Sequence, residues 1–237
     1  MSNNPVQFAN REFYHLIQRG IDDRNIFIDE SDYYRGIFSF YEFNNADPVI
    51  IRERRLERAR QKVSREDPSG TLAELEKIEA ARRDLLINIH CFTVMPNHFH
   101  LLVEQLKDNG ISTFMNKIGG YAYYFNQKHH RKGRLFQDNF KAVHIEGEEQ
   151  LKTTFVYIHA NPASLIEPGW KEKGIKDVDK VMEFLENYKW SSFGDYIGKR
   201  HFPSLTSRDF LTEIMGGPDG CHKFVRDWLL YKNSFLI

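Results

Sequence analysis

Cysteine is nearly absent. Cys91 and Cys221 are the two in 237 residues, too few and too far apart for a disulfide framework or a cysteine-ligated zinc site, and they suit a reducing compartment. Excess charge is missing as well: Lys plus Arg number 33 and Asp plus Glu number 33, so no global field gathers a polyanion and any nucleic-acid surface has to be local. No apolar run approaches the roughly 18 residues needed to cross a bilayer. The opening MSNNPVQFANREF has no apolar segment of signal-peptide type, so a cytoplasmic protein with no membrane partner is the expectation. Internal repeats and low-complexity tracts are lacking too. What is present is an apolar content of 41% with 14% aromatics, enough for a substantial core in one domain with an appendage or in two small ones.

The periodicities fall into a short series of elements. EFYHLIQRG at 12–20, aromatic and β-branched and closed by Gly20, reads as a first strand. Behind Asp29 as N-cap, ESDYYRGIFSFYEF reads as a helix. The charged stretch at about 50–84, broken by DPSG and Arg-rich over 51–65, looks like two helices joined by a turn and forms an insertion. LLINIHCFTV at 85–94 and HFHLLVEQ at 98–105 make a hairpin about the turn Met95-Pro96-Asn97. A helix over 111–130, a strand over 139–147 and a helix over 148–161 stopped by Pro162 follow. The order β-α-β-β-α-β predicts an α+β fold, a ferredoxin-like antiparallel sheet with helices on one face and the other face free for a site. Residues 1–162 would be the main domain. Residues 163–237 read as a helical extension wrapped onto it, with PGWKEKG and GGPDG as loops and helices at VDKVMEFLENY and HKFVRDWLLY.

His98 and His100 are one residue apart on a strand, so both imidazoles face one way while Phe99, Leu101 and Val103 face the other. Such a pair suits a divalent metal without choosing among several, and it equally suits strand histidines hydrogen-bonded to their neighbours. On the helix after the fourth strand, Leu151, Phe155 and Ile158 form an apolar stripe. Gln150, Thr153, Tyr157 and Asn161 share a different, mostly polar face. Tyr157 is either a core-edge tyrosine or a nucleophile, with Asn161 one turn on able to offer a carbonyl oxygen to a metal. HHRKGRLF carries Arg131, Lys132 and Arg134 with no acid, and Lys141 follows on the fourth strand; these are the candidates for contact with DNA phosphates. Tyr121 and Phe125 fit the core stripe of their helix, and His129 and His130 read as loop residues near phosphate.

MPNHFHLLV at 95–103, GRLFQDNF at 133–140, YIHANP at 157–162 and WSSF at 190–193 together resemble the REP-associated tyrosine transposases, relatives of the small insertion-sequence single-tyrosine transposases. The resemblance runs from about Glu12 to Tyr196. It implies an HUH nuclease in which His98 and His100 bind Mg²⁺ or Mn²⁺, Asn161 completes the ligand set and Tyr157 is the nucleophile. It further implies cleavage and rejoining of single-stranded or hairpin-flanking DNA through a 5′-phosphotyrosine intermediate, the chemistry of DNA transposition. Two other readings of the residues are a domesticated protein that binds structured nucleic acid without cutting it, and an unrelated His-dependent metal hydrolase. The chain departs from the family pattern at Asn139, where a basic residue is common, and at Ala163-Ser164, where Val-Arg is common.

Overall fold

A computed structural model describes residues 7–51, 53–54 and 83–234. Most of the expected insertion at about 50–84, with its Arg-rich start, lies outside the described residues. Strands β1 (Phe13–Arg19), β2 (Ile87–Met95), β3 (His98–Gln105) and β4 (Lys141–Ile145) form one sheet. Its order is β2-β3-β1-β4 with every neighbour antiparallel. That is the order the β-α-β-β-α-β reading requires, because each strand–helix–strand crossover skips one position and leaves room for another strand between the two it joins.

Helices α1 (Glu30–Phe43) and α2 (Gly110–Lys128) lie on one face. Asp29 caps α1 as expected, accepting from the Asp32 backbone N–H while the Asp32 carboxylate accepts from that of Asp29; a reciprocal box of this kind satisfies two of the helix's orphan donors. Strand alternation sends Leu16, Phe99, Leu101 and Val103 to this side, where Phe40, Phe114 and Phe125 meet them in the first core.

The opposite face is not free. Helix α3 (Glu148–Ala160) buries Leu151, Phe155 and Ile158 against Cys91, Leu102 and Ile145 of the sheet, and helices from beyond residue 163 complete this second core. They are α4 (Trp170–Lys173), α5 (Val178–Asn187), α6 (Phe193–Tyr196), α7 (Asp209–Ile214) and α8 (Gly217–Ser234). Val181, Leu185, Phe193, Val225 and Leu229 are buried there. The two helices of the β-α-β-β-α-β unit thus share one face as expected, but the other is not left free, because α3 and the extension carry enough apolar surface to cover it. PGWKEKG contains α4 rather than a plain loop. GGPDG starts α8, where Pro218 falls in the first turn and its missing N–H costs nothing. Helix α3 ends at Ala160, beside Pro162 as expected, and the backbone passes into a 3-10 segment over Asn161–Leu165.

A buried polar knot fixes α3 to the sheet. The Thr93 hydroxyl donates to the Ile158 carbonyl at 2.9 Å and lies 3.1 Å from Ser191 Oγ. Ser192 Oγ accepts from the Phe92 N–H at 2.9 Å and sits 2.8 Å from His159 Nε2. Trp190 and Ser192 add backbone bonds to the same strand, from Val94 N–H to Trp190 O and from Ser192 N–H to Phe92 O. The WSSF segment thus borders β2 and holds two residues of the YIHANP segment by their polar atoms. Removing one member leaves buried partners unsatisfied, at about 1–3 kcal/mol. Ser192→Ala is expected to lower unfolding free energy by about that amount, read as a reduced urea midpoint at unchanged m-value; an unchanged midpoint would refute the knot.

Candidate active site on the sheet face under α3

Antiparallel register builds the site row by row. His100 lies opposite Ile17 of β1 and Thr93 of β2, and Ile17 in turn lies opposite Lys141 of β4. Cross-strand partners share a face, so His100, Thr93 and Lys141 all point to the α3 side. The next rows add Arg19 opposite His98, and His15 opposite both Leu102 and Val143. Because Thr93 also holds the Ile158 carbonyl, the preceding residue, Tyr157, comes down beside His100. Its ring centroid is 5.7 Å from that of His100 and 5.8 Å from that of His15. Lys141 and Val143 are exposed, so the face is uncovered toward β4.

Hydrogen bonds determine which ring nitrogens are available. The Asn97 amide donates through Nδ2 to the Asp23 carbonyl, which turns its oxygen toward His98. An amide oxygen only accepts, so His98 Nδ1 carries the proton and donates to Asn97 Oδ1 at 2.6 Å. His98 Nε2 is then left with a free lone pair. His100 Nδ1 shares one proton with His15 Nε2 across 2.8 Å, while His100 Nε2 is buried with no hydrogen-bond partner. Asn161 follows one turn after Tyr157, its amide nitrogen donating to the Tyr157 carbonyl at 2.9 Å, which orients the side chain. Two imidazole nitrogens, one of them an orphaned buried atom, and an amide oxygen form a donor set suited to a divalent cation. His15, behind His100, fits the partner that fixes a ligand's tautomer.

Charge at the site is controlled by burial. Desolvation pushes the His15 pKa down to about 4. Desolvation, with the Arg19 and Lys171 cations, holds His98 down to about 3. His100 lies well below the ordinary imidazole range for the same reasons, the neighbouring histidines contributing. All three rings are neutral at pH 7, the form that binds metal. Lys171 of α4 reaches into the site, its Nζ 3.3 Å from the Tyr157 hydroxyl and 3.2 Å from Asn161 Oδ1.

The structure therefore brings His98, His100, Tyr157 and Lys141 to one face, with Asn161 one turn beyond Tyr157. The basic loop is more divided. Arg131 turns inward, bonding Asn126 Oδ1 and the Arg134 carbonyl at 3.4 Å each, and Arg134 pairs with Asp138. Lys132 is exposed. The loop itself is tied to the end of β1 by bonds from Ile21 N–H to Leu135 O and from Gln137 N–H to Arg19 O, so it adjoins the Arg19 and His98 end of the site. His129 is not a free loop residue: its Nε2 lies 2.9 Å from the buried Asp32 carboxylate. Asp29, Asp32 and His129 are clustered closely enough to hold a cation, but Lys128 Nζ already binds Asp29 and Asp32 at 2.6–2.8 Å.

Residues 56–161 match the family model described as "Transposase IS200 like", and with it the resemblance carried by the MPNHFH and YIHANP segments is borne out. A solved REP-associated tyrosine transposase bound to a REP hairpin is similar over 88% of this chain and 93% of its own, at 15% identity and a TM-score of 0.48. No curated protein matches.

The depressed imidazoles make metal-free stability depend on pH. Below about pH 6.5 the unfolded chain's histidines take up protons, whereas His15 and His98 remain neutral in the fold until about pH 4 and 3. The unfolded state then binds more protons, so stability is greatest above pH 6.5 and is lost as pH falls. Each such ring costs about 1 kcal/mol by pH 5.5. Urea unfolding at pH 7.5, 6.5 and 5.5, above the carboxylate range, should show this decline; a flat profile would mean the rings titrate normally.

Proposed function

Taking as premise a chain whose residues 56–161 match the IS200-like transposase family, we propose that it is an HUH endonuclease that cleaves and rejoins single-stranded or hairpin-flanking DNA through a 5′-phosphotyrosine on Tyr157. The observation that carries this reading is a half-buried tyrosine packed against His100, whose Nε2 is buried without a partner, on the sheet face that also carries His98 with a free Nε2 lone pair. His98, His100 and Asn161 would hold Mg²⁺ or Mn²⁺, and the ion when bound supplies Lewis-acid polarisation of a nonbridging phosphate oxygen.

The chain's own residues do the rest. The Thr93 bond to Ile158 holds the backbone beside Tyr157 at a fixed height, which keeps its side chain near a phosphate laid on the sheet face. Arg19, Lys141 and Lys171 are the cations around that face, a local positive rim that a neutral chain needs to hold a polyanion. The face is roofed by α3 and uncovered toward β4, which fits one strand more readily than a duplex. Attack by Tyr157 releases a 3′-OH and keeps the phosphodiester energy in the enzyme link. A 3′-OH can therefore reverse the step without ATP, and such reversibility suits strand transfer.

Incubation with labelled single-stranded hairpins carrying flanks and Mn²⁺, followed by denaturing gels and peptide mapping, tests the reading. A covalent adduct on Tyr157 is expected, lost in Tyr157→Phe with hairpin binding retained, and cleavage is expected to vanish in the His98→Ala/His100→Ala double variant. Binding to random duplex should be weaker and salt-sensitive. An adduct on another of the eleven tyrosines, or undiminished adduct in Tyr157→Phe, would overturn it; hairpin binding with no adduct would point to a non-cutting binding protein.

A further inference from the structure

Neither the motifs nor the family resemblance gives Lys171 a role, yet it stands at the atoms on which the proposed chemistry turns. Its Nζ is 3.3 Å from Tyr157 Oη, 3.2 Å from Asn161 Oδ1 and 4.5 Å from the centroid of the Tyr157 ring. An ammonium has no acceptor capacity, so in both contacts it donates and the oxygens accept. Placement is not left to the long side chain alone. The preceding residue, Trp170, is buried in the second core, and α4 is entered through Gly169 in the left-handed region at φ 78°. Lys171 is itself exposed, and water is open to its ammonium; it lies instead on two oxygens of the α3 end. Arg19, the other cation acting on His98 and His100, has a carboxylate of its own, Asp23, at 3.7 Å.

We propose that Lys171 is a further catalytic residue, whose ammonium stabilises the negative charge on Tyr157 Oη both when that oxygen attacks and when it leaves. The inference rests on the function proposed above. In cleavage, Tyr157 Oη gives its proton to solvent and forms a bond to phosphorus; the P–O3′ bond breaks, and the departing 3′ oxygen takes a proton from solvent. In rejoining, the 3′ oxygen attacks, the P–Oη bond breaks and the phenol oxygen regains a proton. Charge develops on Oη in both directions, and a donor already in contact with it needs no reorganisation to respond. Its hydrogen bond strengthens as the acceptor becomes ionic. The Asn161 contact holds the ammonium between turns, and since an amide oxygen has two lone pairs, it leaves Asn161 able to serve as a ligand.

The experiment uses the full chain, Mn²⁺ and the flanked hairpin oligonucleotide that the unaltered protein cuts. Lys171→Gln is expected to slow adduct formation at saturating hairpin by about 10- to 100-fold, a loss beyond whatever hairpin affinity the removed rim charge takes with it. Lys171→Cys should be equally slow, and aminoethylation of the introduced thiol, which restores an ammonium at the same reach, should recover most of the rate, whereas carbamidomethylation should not. Cys91 and Cys221 are buried and shielded from both reagents. A Lys171→Gln adduct at the wild-type rate, a loss traced wholly to weaker hairpin affinity, or equal rates for the two alkylated forms would overturn the role while wild-type adduct on Tyr157 left the parent reading intact. Absence of any wild-type adduct would remove both.

Discussion

The hydrogen bond from Thr93 to the Ile158 carbonyl is the contact on which the site depends. Thr93 is the cross-strand neighbour of His100, so one hydroxyl ties the helix carrying Tyr157 to the row of the sheet carrying the histidine. Ser191, Ser192 and His159 extend this bond into a knot closed off from water. In such surroundings an unmade polar contact is costly and a made one is rigid. Apolar packing of Phe155 and Ile158 supplies attraction between α3 and the sheet without direction. The knot supplies the direction, and the WSSF and YIHANP segments are its two halves.

Burial has a second consequence at the same place. A cationic imidazole is disfavoured where water is excluded, so His15, His98 and His100 stay neutral with donor positions set by Asn97 and by one another. Cations then collect at the rim: Arg19 at the end of β1, Lys141 on β4 and Lys171 on α4. Net charge is zero over the whole chain, yet this face has positive groups near neutral nitrogen donors. Local arrangement, and not composition, decides whether an anionic strand is welcome.

Much of the fold was legible because periodicity is a local property. Alternation marked β1, β2 and β3 within a residue or two, the spacing of Phe114, Ile118, Tyr121 and Phe125 marked α2, and the Asp29 cap marked the start of α1. His98 and His100 had to share a face for the same reason. His15 and Arg19 went unnoticed although both fall on one side of FYHLIQR by the same alternation; a search for pairs an even number of positions apart would have found them. That the extension packs on the main domain was read, but not that it covers the second face, and short helices such as Trp170–Lys173 and Asp209–Ile214 leave little periodic trace.

The sequence by itself determined the element order, the two-histidine face and the polar helical face of Tyr157 and Asn161, because each follows from side-chain direction within one segment. Only the tertiary structure decided that these faces meet, that His15 stands behind His100, that the helices after Pro162 roof the sheet, and that Lys171 rests on Tyr157. Those are contacts between segments far apart in the chain, His15 and His100 by 85 positions and others by more. Strand register and the buried knot create them, and no local period encodes either.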